Sequence, residues 1–407
     1  MGDIIMRGTK QIRRSNLFVQ AAGAALGFAA ASCLALGLPP SAQAQTYKDT
    51  VLYSFAGTPD GVSPVAGLAR DSAGNFYGAT NTGGTFGMGT VFKLATTGEE
   101  TVLHDFAGGT DGELPYGGVI LGINGNLYGT ASFGGASNKG IIFEVNPASG
   151  KEKIIYNFSG GSDGALPYAG LVSDAQGNLY GTTLEGGDPG CNSPEGCGTV
   201  FRASMNGAET VLYSFTGPDG ERPQDSLILD SKHNLYGTAE LGGSSGDGVV
   251  FEVTLAGVET VLHNFTGGTD GTRPLASVVR DSIGNLYGAT SMGGSSLSGI
   301  VFKVDTSNNE TVLYTFLGGA DGQYPYAGLV RDSQGNLYGT TIFGGTDTFG
   351  VVFELDTAGK ETVLHSFQGS DGEYPVASLL MDAKGGIYST TELGGAHNMG
   401  EVFKLTP

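Results

Sequence analysis

The chain reads as an all-β protein, a seven-bladed β-propeller, on three observations. A phrase of roughly fifty residues returns seven times, and each copy must bury itself against its neighbours. Its first element closes on Phe55, Phe106, Phe158, Phe215, Phe265, Phe316 and Phe367. Each phrase is made of short runs rich in Val, Tyr, Thr and Phe, bounded by Gly, Asp and Pro, which is the pattern of strands and turns. Finally, the two ends are complementary halves of one repeat. Residues 50–55 (TVLYSF) have no blade in front of them, and the last repeat stops at residues 401–405 (EVFKL) without its TVLYSF.

Within a repeat the strands follow in a fixed order. In the sixth, residues 325–332 (PYAGLVRD) lead into the turn Ser333-Gln334-Gly335 and residues 336–341 (NLYGTT). The Gly344-Gly345 loop comes next, then residues 351–355 (VVFEL), a tight turn, and residues 361–367 (ETVLHSF). Four antiparallel strands repeated seven times predict a propeller, and apolar runs without strict alternation fit sheets covered on both faces. The first TVLYSF should therefore complete the seventh blade, closing the ring and removing two open sheet edges. A linear β-solenoid is the competing architecture, but it has no need of complementary ends.

Composition narrows the class further. The 72 glycines lack collagen spacing and cluster at turns, and 39% hydrophobic residues suffice for a core. Residues 1–44 hold four of the 20 basic residues and one of the 40 acids, so the remainder carries about −23. Such a surface repels phosphate backbones, so no nucleic-acid partner is expected. Cations, neutral glycans and other proteins stay open as ligands.

Residues 1–44 read as a signal peptide: Lys10, Arg13 and Arg14 precede an apolar run over 17–38, and Ala42-Gln43-Ala44 offers cleavage before Gln45. The expected mature propeller is 45–407, secreted or periplasmic, with no membrane span after signal removal. Cys191 and Cys197 lie in an insertion confined to the third repeat and read as one local disulfide in an oxidising compartment. A two-Cys metal site is the alternative, but no further ligand lies nearby in sequence.

The phrase GNLYGTT…GG…G-VFKL…ETVLYSF, as in residues 336–367, resembles the GloVer tandem repeat of choice-of-anchor bacterial surface proteins. Its strand order is also similar to that of NHL-type propellers. The resemblance covers all seven repeats and implies an exported protein. Such proteins often carry a C-terminal sorting anchor; here the ending Leu405-Thr406-Pro407 leads to the expectation of a freely soluble form. The resemblance implies no reaction and supplies no catalytic residues.

Antiparallel order puts the Asp-Gly-x-x-Pro and Gly-Gly loops on one face and the tight turns on the other. Long loops on a rigid scaffold are where binding usually resides. The repeated Asp60, Asp111, Asp163, Asp219, Asp270, Asp321 and Asp371 read as caps of their own turns, because a calcium loop needs several ligands in one short span. Departures from the phrase are better candidates. Two residues after the Pro, six blades carry Ala or Gly and the fourth carries Asp225, with Arg222 and Gln224 beside it and Arg273 at the matching position of the fifth. Tyr116, Tyr168 and Tyr326 follow the Pro and suit stacking on a sugar or peptide. Glu185, Glu240 and Glu392 depart in the Gly-Gly loops without defining a catalytic pair. His397 is the one histidine near this face, and it has no evident partner.

These features predict a non-enzymatic binding module using the long-loop face, with no cofactor and no metal. An extracellular lyase or hydrolase at the channel mouth, using Asp225, Arg222 and His397, is the alternative.

Overall fold

The structure, a computed structural model, describes residues 47–407; the expected signal peptide at 1–44 lies outside them. Seven antiparallel sheets follow one another along the chain. The first blade comprises Ala69–Arg70, Phe76–Thr80, Thr90–Leu94 and Glu100–Asp105, from the axis outward, and the next five repeat that order. The seventh blade takes its outer strand from the other end of the chain. Lys48–Ser54 pairs antiparallel with Glu401–Thr406, from Lys48 opposite Thr406 to Ser54 opposite Glu401. The ring is closed as the complementary ends require, and the solenoid is excluded.

The repeated residues explain the regularity. The Phe that ends each outer strand is fully buried and meets a Phe in the third strand of the next blade edge-on. Centroids lie 5.0 Å apart for Phe215–Phe251 and 5.3 Å for Phe158–Phe201, and Phe367–Phe403 and Phe55–Phe92 carry the contact through the closing blade. The glycine of GNLYG makes room for this ring. A Cβ on Gly78 would lie 2.6 Å from Cζ of Phe92, and one on Gly339 would lie 2.7 Å from that of Phe353. Close approach therefore explains a residue that strand propensity disfavours.

The repeated Asp caps its own turn in every blade, as expected. Asp60 accepts from the Ala56 N–H at 3.0 Å, Asp111 from Ala107 at 2.8 Å and Asp270 from Thr266 at 2.9 Å. The Tyr or His of the outer strand reaches the same carboxylate, as Tyr53 does on Asp60 at 2.8 Å and His365 on Asp371 at 3.0 Å. His104, His263 and His365 are thereby fixed at the outer rim.

One backbone feature positions the channel. The residue before each repeated Pro has a left-handed φ in all seven blades, from +54° at Leu166 and Arg273 to +59° at Arg222 and Tyr324. A non-glycine residue seldom adopts this conformation. It is held by a hydrogen bond from its N–H to the preceding blade, such as Arg222 to the Cys197 carbonyl and Arg273 to that of Asp247, both 3.0 Å.

Candidate functional site

The Asp-Gly-x-x-Pro segment runs beside the end of the second strand, as in the bridges Val62–Thr82, Glu221–Leu241 and Glu373–Leu393. The residue after the Pro then faces the axis in every blade. Val65, Tyr116, Tyr168, Gln224, Leu275, Tyr326 and Val376 all line one cavity of ≈ 540 Å³. A second tier comes from the strand ends, where Asn81, Ile342 and Glu392 line the same space. All seven blades contribute, so the cavity sits on the ring axis.

Tyrosines dominate its wall. The rings of Tyr116 and Tyr168, from adjacent blades, stack at 4.6 Å with an interplanar angle of 16°. Tyr326, from the sixth blade, is 38% exposed into the open space. Burial, and then the carboxylates of Asp225, Glu240 and Glu392, push its hydroxyl up to about 12. Burial also raises Tyr116 and Tyr168.

Carboxylates supply the charge. Asp225 accepts from the Ser226 N–H at 2.6 Å through Oδ1 and from the Ser277 N–H through Oδ2, so it ties the inner segments of the fourth and fifth blades together. Burial pushes it up to about 6, with those backbone donors acting in opposition. Glu392 is raised by burial alone. Asn81 is 7% exposed, and its Oδ1 has no hydrogen-bond partner. Among the described residues, no Lys, Arg or His lines the cavity.

The sequence-predicted residues divide accordingly. Asp225, Gln224, Tyr116, Tyr168 and Tyr326 come together at the channel. Arg222 and Arg273 do not line it, and neither pairs with Asp225. Each is held before the Pro at left-handed φ and pairs with a glutamate instead. Arg273 Nη1 lies 3.4 Å from Glu240, and Gln224 Nε2 donates to the same carboxylate at 2.7 Å. Arg222 Nε lies 3.9 Å from Glu221. His397 is exposed and away from the cavity wall.

Cys191 and Cys197 form the disulfide, with Cα atoms 5.7 Å apart, so the two-Cys metal alternative is set aside. The insertion braces the fourth blade: Asn192 Nδ2 donates to Glu221 at 2.9 Å, and the Cys197 carbonyl receives the Arg222 N–H. Among the described residues, one group suits a metal ion by type and spacing. Asp49, His365 and Asp371 have ligand atoms within 4.8 Å of one another, at the outer seam between the sixth and closing blades. These residues are distant in sequence, and sequence reading did not find them. Asn81 was missed too. Its register with Glu240 and Glu392, three positions after Gly78, Gly237 and Ser389 of the equivalent strands, was the available signal.

The profile of the Gloeobacter/Verrucomicrobia repeat matches residues 41–193, 192–333 and 311–407. No curated protein sequence matches the chain. Solved structures are similar to the chain at low identity. Oligogalacturonate lyase from Vibrio parahaemolyticus is 10% identical with a TM-score of 0.54, covering 89% of this chain and 97% of that one. An oligogalacturonate lyase in complex with manganese is 13% identical with a TM-score of 0.55, covering 88% and 92%. A chain of the nidogen/laminin complex is 17% identical with a TM-score of 0.45, covering 72% and 94%.

Proposed function

Since this chain belongs to the Gloeobacter/Verrucomicrobia repeat family, built here as a seven-bladed propeller, we propose that it is an exported, non-enzymatic binding module that holds a glycan at the mouth of its central channel. The observation that carries this reading is the stacked pair Tyr116–Tyr168 with Tyr326 in the same cavity, to which every blade contributes. Aromatic faces bury the apolar faces of sugar rings, and their polar tips, with Gln224 and Asn81, meet hydroxyls. The volume falls within the roughly 300–1,000 Å³ common for small-molecule sites. Export is supported by the basic, apolar and Ala-x-Ala succession of residues 10–44 and by the disulfide. No helix among the described residues is long and apolar enough to cross a membrane.

A lyase or hydrolase is the second reading, favoured by two carboxyls, Asp225 and Glu392, displaced upward in one cavity. Against it, both Asp225 oxygens are occupied by backbone N–H groups, and neither Arg222 nor His397 reaches the channel. A soluble-glycan array on the purified protein and on its Tyr116→Ala and Tyr326→Ala variants tests the proposal. Binding lost in both folded variants is the expected result. Binding unchanged in both would remove the channel as the site, and turnover of a bound glycan would favour the enzyme.

A further inference from the structure

The charge on the cavity wall is one-sided. Asp225 and Glu392 face it, and Gln224 holds Glu240 immediately behind. The one base against these carboxylates, Arg273, stays at the rim on Glu240 and is half exposed. Even a half-buried acid without a counter-charge is costly, and no base on the described wall faces Glu392.

The neutral groups point the same way. Asn81 is nine-tenths buried and its side chain is engaged with the Tyr116 hydroxyl, so it holds that ring in place against the cavity. The three tyrosine rings present negative π faces, which attract organic cations as well as sugar faces. An overall charge of −20 concentrates cations around the protein before contact. A uronic-acid chain, by contrast, would bring more carboxylates to a wall that has no base.

We propose that the channel mouth selects a saccharide bearing a primary ammonium group, an amino sugar of the glucosamine class, with Glu392 receiving the ammonium and Tyr116, Tyr168 and Tyr326 contacting the ring. The assignment rests on the glycan-binding reading above and adds to it the charge of the ligand.

Titration calorimetry on the purified protein with a glucosamine trimer, its fully N-acetylated counterpart and a galacturonate trimer provides the test. The free-amine trimer is expected to bind at least about tenfold more tightly than the acetylated one, and less tightly as salt is raised. No affinity is expected for the galacturonate trimer. Glu392→Gln should lose about tenfold for the amine and little for the acetylated trimer, while Glu100→Gln, far out on the rim, should lose neither. Equal affinity for the amine and acetylated trimers would overturn the ammonium assignment and leave glycan binding standing. Preference for galacturonate would also overturn it. No heat with any trimer from folded protein would count against the glycan reading itself. The trimer comparison needs only the unaltered protein, so a failed fold in Glu392→Gln leaves the test intact.

Discussion

At the outer seams each blade offers its neighbour the same groups, whereas at the channel the equivalent positions read Val, Tyr, Tyr, Gln, Leu, Tyr and Val. Seven Phe–Phe contacts and seven turn-capping Asp residues recur around the rim with little change. The seam also repeats a less ordinary feature. Glu100, Glu152, Glu209, Glu259, Glu310 and Glu361 each face the capped Asp of the preceding turn, and each keeps Oε1 buried and unpartnered. Asp49 takes this place in the closing blade, facing Asp371. A seam joins two copies of one repeat, so what packs once packs seven times. The channel positions all face a single space, where different side chains make one asymmetric wall.

Ring closure gives the largest expected effect on this contrast. Deleting residues 45–55 removes the strand Lys48–Ser54 and Phe55, leaving an open edge on the seventh blade and a cavity beside Phe92. The melting temperature should fall by more than about 10 °C in calorimetry. An unchanged melt would break the view of the seams as the source of stability.

Single substitutions should separate the two regions next. Phe215→Ala at a seam should cost about 3–5 kcal/mol, and Phe316→Ala a similar amount, in denaturant unfolding. Tyr326→Ala, facing open space, should cost less than about 1 kcal/mol while abolishing ligand binding. A Tyr326 variant as unstable as Phe215→Ala would erase the distinction.

The smallest effect is on pH dependence. Burial, and then the facing Asp, push the six seam glutamates from 4.5 up to about 7. Folding therefore favours their protonated form; the stabilisation is complete below 4.5 and lost as pH rises through 7. Burial also raises Glu401, fully enclosed in the closing blade, up to about 8, with the same sign. His104 and His263, pushed down by burial, oppose this below pH 6.5, but two groups are outnumbered by seven. Acidification from about pH 8 to about pH 5 should thus raise the melting temperature by roughly a few degrees, since the half-buried seam glutamates are partly screened by water. Glu100→Gln should flatten the slope. A melt that falls steadily over this range would contradict the seam assignment.

Much of this was legible in the chain because a repeat displays its own rules. Phe55 and its six equivalents marked the period, and the missing half-repeat after Leu405 announced the closure. Tyr116, Tyr168 and Tyr326 stood out because they sit after the Pro where Val or Leu stands in other blades. Arg222 and Arg273 pair with Glu221 and Glu240 rather than with Asp225, and neither propensity nor spacing records which carboxylate an arginine meets. Asn81 and Glu392 were harder, since their approach to the tyrosines depends on pairing between the loop and the second strand.

The sequence by itself determined the strand pattern, the sevenfold count and the strand that closes the ring, because these follow from local periodicity and from the need to leave no sheet edge open. Only the tertiary structure decided which side chains share the axis and which pairs share a seam. Closing the ring brings together residues such as Tyr116 and Tyr326, or Asp49 and Asp371, whose separation along the chain carries no trace of their distance in space.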